Sequence, residues 1–191
     1  MNNHYKNAPP FVLLLTGPAG AGKTTVARAW ASRQSRPTAH ISLDDVRDFV
    51  KAGYANPSDG FNAETERQLV LARQGCAFLA RQYTQAGFLC IIDDAIFPAW
   101  EVAGYQKWQE LLADMPHYFI VLLPAFEYIL ERNQHRAGQR LLSGAMLRTI
   151  YEMMLPWREQ AKFPLIDNSE MSVEQAVARL EVEIRDWIAP S

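Results

Sequence analysis

The apolar run Phe11 to Thr16 leads straight into Gly17-Pro-Ala-Gly-Ala-Gly-Lys-Thr24, and no other stretch narrows the possible folds as much. The pattern G-x-x-x-x-G-K-[ST], set after an apolar strand and before a helix, describes a loop that wraps a phosphate. Glycines let successive backbone N–H groups turn inward without interference from a Cβ. The helix that follows adds unpaired N–H groups and the positive end of its dipole. Gly17, Pro18, Ala19, Gly20, Ala21, Gly22, Lys23, Thr24 and Thr25 are therefore the expected nucleotide-binding residues. Lys23 can reach the β- and γ-phosphates, and the Thr24 hydroxyl is placed to ligate Mg²⁺.

A loop of this kind needs a sheet behind it, and the remaining apolar runs supply one. Phe11 to Thr16, Ala39 to Leu43, Phe88 to Ile92, His117 to Leu123 and Phe163 to Ile166 predict five strands separated by helical patterns. That rhythm is α/β with a mostly parallel sheet. The runs at Phe11, Phe88 and His117 are almost continuously apolar, as strands covered on both faces should be. Leu69, Ala72, Cys76, Leu79 and Tyr83 recur at helical steps, as do Val173, Val177, Leu180, Ile184 and Trp187. Ser172 with Gln175 predicts a capping box at the start of the last helix. Gly87 is the expected stop of the long helix, and Pro98 suits the first turn of the next. With 191 residues the chain is long enough for one core and too short for two full domains. The expectation is a single domain over 1–191, with residues 1–10 as a leader and about 125–145 as a lid.

The ends of the predicted strands carry the acidic candidates. Asp93 and Asp94 close the third apolar run, on the edge where parallel sheets bind ligands. Asp93 is the expected Mg²⁺-associated carboxylate and Asp94 a substrate-facing one; both could instead cap the following turn. Asp44 follows the second strand, where a carboxylate could take the proton of an attacking hydroxyl, and Arg47 could hold an anionic or polar acceptor. The bland reading of Asp44 is a helix N-cap. Arg132, Arg136 and Arg140 stand four residues apart, which suits a lid that neutralises charge on a transferring phosphoryl group, Arg136 catalytically and Arg132 and Arg140 on the nucleotide. The loop Gly53 to Asn62 divides evenly between a functional element and a solvated connection. The tryptophans read as packing residues, with Trp100 close enough to Asp94 to line a pocket. His40 reads as a core or edge residue.

Here the chain resembles the small P-loop kinases of metabolites and antibiotics, a group with gluconate, shikimate and adenylylsulfate kinases and chloramphenicol phosphotransferase. Asp44-Asp-Val-Arg47 is similar to a stretch of adenylylsulfate kinases, and Ile91-Ile-Asp-Asp94 to one in chloramphenicol phosphotransferase. Leu165-Ile-Asp-Asn-Ser169 resembles the last strand and turn of the group, beside the adenine. The resemblance implies a three-layer P-loop NTPase fold whose five-stranded parallel sheet is ordered 2-3-1-4-5, and ATP with Mg²⁺ as cofactors. No acceptor motif specific to gluconate or shikimate is present in full.

These readings lead to an ATP- and Mg²⁺-dependent phosphotransferase acting on a hydroxyl of a small molecule. Two others stay open: a kinase of a larger acceptor, such as a nucleotide sugar or a polynucleotide 5′ end, and an ATP-binding switch. A formal net charge of −2 gives no large basic surface for long nucleic acid. No run approaches the ~20 apolar residues of a membrane span. Cys76 and Cys90 sit in apolar runs and fit a reducing cytoplasm. No targeting segment is evident, and a cytoplasmic monomer or homodimer is the expectation.

Overall fold

The computed structural model describes residues 5, 8–101, 104–135 and 141–188. Five parallel strands, β1 (Val12–Thr16), β2 (Thr38–Ser42), β3 (Leu89–Asp94), β4 (His117–Leu122) and β5 (Leu165–Ile166), form one sheet in the order β2-β3-β1-β4-β5. The helices are α1 (Lys23–Arg33), α2 (Leu43–Arg47), α3 (Ala63–Gln85), α4 (Tyr105–Leu111), α5 (Phe126–Gln134), α6 (Gly144–Met154) and α7 (Val173–Ile188). The α/β architecture is the one the sequence predicts, and the strand order is the one the family resemblance implies.

Why the central strands read as unbroken apolar runs is visible in their two faces. Val12 and Leu14 pack with α3 and α4 residues such as Cys76 and Trp108. Leu13 and Leu15 pack with Val26, Trp30, Val177 and Leu180 of α1 and α7. Successive side chains of a strand point to opposite faces, so a strand covered twice is apolar at successive positions until it reaches the ligand-binding edge. The same period splits the acidic pair of β3. Asp93 falls on the α1 side with Leu89 and Ile91, while Asp94 falls on the α3 side with Cys90 and Ile92.

The capping box of α7 is present: Gln175 N–H donates to Ser172 Oγ, and Ser172 N–H donates to Gln175 Oε1 at 2.8 Å. Gly87 ends the α3 region at φ +90°. Three expectations are corrected. Pro98 lies in a turn and the next helix begins only at Tyr105. The third strand runs through both aspartates instead of stopping at Ile92. Tyr83 is exposed: the inward face of α3 is wider than the apolar stripe and carries Thr65, Gln68, Arg73 and Thr84. A polar residue breaks an apolar periodicity even when its partner is buried too. No helix among the described residues is long and apolar enough to cross a membrane.

Candidate active site

The phosphate loop is shaped by its glycines at two places. A Cβ on Gly17 would lie 2.1 Å from the carbonyl oxygen of Leu122, at φ +151°, so the loop can leave β1 this close to β4 only without a side chain. Gly22 is the N-cap of α1 at φ +89°, which turns the first helical N–H groups toward the loop. Lys23 Nζ donates to the Gly17 carbonyl at 2.8 Å and to that of Pro18 at 3.1 Å. The ammonium is thus held over the loop by backbone dipoles that a phosphate can replace.

Thr24, one residue into α1, meets β3 directly. Its Oγ1 donates to Asp93 Oδ1 at 2.9 Å. Parallel register sets Ser42 of β2 beside Asp93, with His40 two residues earlier on the same face. Accordingly His40 Nε2–H donates to Asp93 Oδ2 at 2.6 Å, and Ser42 Oγ reaches Oδ1 at 3.5 Å. Asp93 is 4% exposed and held from three sides. Hard oxygens from Thr24 and Asp93, next to a phosphate loop, fit Mg²⁺, which takes one or two protein oxygens and completes its shell with waters and substrate phosphates. The sequence reading took His40 as a core or edge residue and gave it no place in the site. Only the β2–β3 register makes it a partner of Asp93, and the sole local hint is its presence in a strand otherwise bound for the core.

A single cavity of about 610 Å³ takes in this corner and extends beyond it along the sheet edge. Its nucleotide side is lined by Ala19, Gly20, Gly22, Lys23, Thr24 and Thr25. The far side includes Asp44, Arg47, Tyr54, Phe61, Arg73 and Trp100. Asp44 sits in the first turn of α2 with a largely solvated carboxylate, 4.0 Å from Arg47 Nη1. Ser42, not Asp44, occupies the N-cap position, and it makes no side-chain cap bond.

The Gly53–Asn62 segment borders the far side of the cavity and is pinned at its start. Gln68 of α3 donates to the Gly53 carbonyl at 2.7 Å and accepts from Ala55 N–H at 2.9 Å. Arg47 lies 5.2 Å from the centre of the Tyr54 ring. Burial is the main cause that pushes the Tyr54 phenol above its ordinary range, with Arg47 pulling it down. Trp100 packs edge-on against Phe61 and Phe97, with ring centres 4.7 and 5.3 Å away.

Asp94 departs from the expected substrate-facing carboxylate. Although it borders the cavity, its side chain is 1% exposed. Oδ2 accepts from Arg73 Nε at 2.8 Å and from Trp108 Nε1 at 2.8 Å. Asp94 is therefore the counter-ion of a buried arginine that the sequence reading missed.

The arginine series also changes meaning. Arg132 donates to the backbone carbonyls of Ala21, Asn168 and Ser169, bracing the phosphate loop against the turn after β5, and is not among the residues lining the cavity. Asn168 Nδ2 donates to the same Ala21 carbonyl at 2.9 Å. Arg136 and Arg140 lie outside the described residues. Leu142 and Ile150, the latter on α6, border the cavity.

Residues 12–154 match the profile of the AAA domain family. No curated protein matches the chain in sequence. Shikimate kinase from Acinetobacter baumannii, solved with shikimate, is similar at TM-score 0.65 and 17% identity, over 98% of this chain and 99% of that one. Thymidylate kinase from Candida albicans is similar at 0.62 and 15% identity, over 93% and 92%. The tunicamycin resistance protein of Deinococcus radiodurans is similar at 0.61 and 16% identity, over 92% and 95%. At these identities the likeness is one of fold. Taken with the glycine loop, the 2-3-1-4-5 sheet and the profile match across most of the chain, it places this protein in the AAA domain family, as a nucleotide-binding P-loop protein of kinase-like fold.

Proposed function

We propose that this protein is a cytoplasmic phosphotransferase, one catalytic domain working as a monomer or homodimer, that moves the γ-phosphoryl group of ATP to a hydroxyl of a small molecule. The observation that carries the reading is the continuity of the cavity: the phosphate loop and Asp44 line the same space, so a nucleotide and a second substrate can meet there. A switch needs no room for an acceptor beside the nucleotide.

The acceptor hydroxyl gives its proton to Asp44 as its oxygen bonds to the γ-phosphorus, and the bond to the β–γ bridging oxygen breaks to leave ADP. Lys23 exchanges the Gly17 and Pro18 carbonyls for phosphate oxygens and holds the transferring group in line. Thr24 and Asp93 would hold Mg²⁺, which when bound neutralises charge on the phosphates. His40 and Ser42 keep the Asp93 carboxylate turned toward Thr24.

The test is coupled ADP release from Mg–ATP across sugars, sugar acids, hydroxy acids, nucleosides, nucleotide sugars and hydroxylated antibiotics, with Lys23→Ala as the blank. Release that rises with one acceptor class is expected. In that assay Asp44→Asn should lower kcat roughly 10²–10⁴-fold while ATP affinity stays within about threefold of the parent. Equal loss of both would remove Asp44 as the base. Slow release independent of every acceptor would favour a nucleotide switch.

A further inference from the structure

We propose that His40 is a positioning residue that sets which divalent ion the phosphate corner prefers. By holding one oxygen of Asp93 away from the cavity, it leaves a single carboxylate oxygen for the ion, and that arrangement favours Mg²⁺ over Ca²⁺. The inference rests on the reading of Thr24 and Asp93 as the metal corner, and it is independent of the acceptor.

The two oxygens of Asp93 serve different neighbours. Thr24, Ser42 and Asp93 border the cavity, whereas His40 is not among its lining residues. Oδ1 accepts from Thr24 Oγ1 at 2.9 Å, on the cavity side, and Oδ2 accepts from His40 Nε2–H at 2.6 Å. The side chains of Asp93 and His40 are 5% and 13% exposed, so water competes little for that second bond. Ser42 Oγ lies 3.5 Å from Oδ1, too far to restrain it firmly. The terminal torsion of an aspartate is soft and roughly two-fold, so hydrogen bonds decide where its oxygens point. Among the described residues, His40 is the partner that fixes Oδ2.

The sheet makes this clamp stiff. Ser42 is in register with Asp93, and His40 stands two residues earlier on the same face of β2. An imidazole bonding through its far nitrogen spans that step, so the carboxylate can turn only by breaking the bond. The consequence for an ion follows from coordination chemistry. Mg²⁺ demands a near-octahedral shell, keeps several waters and is content with one oxygen from a carboxylate. Ca²⁺ is larger, gathers more oxygens and readily takes both from one carboxylate. With Oδ2 held by His40, Mg²⁺ at Thr24 loses nothing, while Ca²⁺ is denied the bidentate grip.

The test needs no turnover. Calorimetry follows ADP binding to the full chain in saturating Mg²⁺, in saturating Ca²⁺ and in EDTA, and the gain each ion gives over EDTA is the readout. In the parent, Mg²⁺ should tighten ADP roughly tenfold or more beyond Ca²⁺. Partners that orient a metal ligand typically change affinity roughly 10–100-fold. His40→Leu frees Oδ2 to turn inward, so the Mg²⁺ gain should fall by at least that lower figure while the Ca²⁺ gain holds or rises. His40→Gln keeps an N–H of similar reach and should restore most of the preference. Urea unfolding without ions shows that each variant is folded; should the leucine variant fail, His40→Asn, too short to reach Oδ2, takes its place.

A preference unchanged in His40→Leu, both ions weakened by one factor, or a glutamine variant as unselective as the leucine one would each overturn the proposal. Equal factors in particular would reduce His40 to a packing residue. A Mg²⁺ gain in the parent with no preference over Ca²⁺ would overturn the role of His40 and leave the metal corner standing. No gain from either ion would overturn the metal corner itself. Acceptor-independent ADP release would remove the phosphotransferase reading and leave the ion preference untouched.

Discussion

Replacing Asp94 with asparagine removes one charge and almost no volume, and the surroundings fix what that charge does. Oδ2 takes hydrogen bonds of 2.8 Å from both Arg73 Nε and Trp108 Nε1, and the two side chains of the ion pair are 1% and 3% exposed. The asparagine oxygen can still accept from the indole, so Trp108 is not orphaned. What disappears is the countercharge of a guanidinium whose Nη1 already lacks a partner. Stranding one member of a buried pair costs roughly 3–5 kcal/mol, whereas a neutral hydrogen bond is worth about 1 kcal/mol. For a chain of 191 residues, each kcal/mol moves the melting temperature by roughly 2–4 °C, so Asp94→Asn should lower it by about 6–20 °C. The assay is urea unfolding and calorimetry without nucleotide. It is repeated in an Arg73→Met background, where Asp94 has lost its guanidinium partner and the same change should cost about 1 kcal/mol or less. A loss below about 1 kcal/mol in the parent, or an equal loss in both backgrounds, would refute the buried-pair account. Intact stability with lost acceptor turnover would return Asp94 to the substrate.

Two further outcomes follow from local geometry. Gly17→Ala places a Cβ 2.1 Å from the Leu122 carbonyl oxygen, so the loop must shift; ATP affinity measured by calorimetry should fall roughly tenfold or more, and an unchanged Kd would sink this account of the turn. Burial pushes the thiols of Cys76 and Cys90 up to about 12 from an ordinary 9.0, with Asp94 and Asp93 adding to the rise at Cys76. A raised folded pKa means their contribution to stability is complete below pH 9 and is lost as pH climbs toward about 12. Urea midpoints should therefore drop over that window, and a thiol reagent at pH 8 should label both cysteines only in denaturant. Rapid labelling of the native protein would contradict their burial.

What the sequence determined by itself is local in physical origin. The phosphate loop follows from the conformational freedom of Gly17 and Gly22 beside an apolar strand, and the Ser172–Gln175 box from two side chains three residues apart. The strands were legible because β1, β3 and β4 are covered on both faces, which confines polar residues to the strand ends and leaves the middle of each run apolar. Asp44, Arg47 and Asp93 could be nominated because strand ends on a parallel sheet face one edge. Tertiary structure alone decided how these residues pair. His40 reaches Asp93 across 53 positions because β2 lies beside β3 in one register, and a shift of one residue would turn it to the other face. Arg73 and Asp94 meet because α3 packs on the face of β3 opposite Asp93; within α3 the arginine only interrupts an apolar stripe. Arg132, in a series that reads as a lid, instead braces Ala21 and the turn after β5, 36 and 37 residues further along the chain. Backbone carbonyls accept from any donor that packing brings near them, and no spacing along the chain records which one that will be.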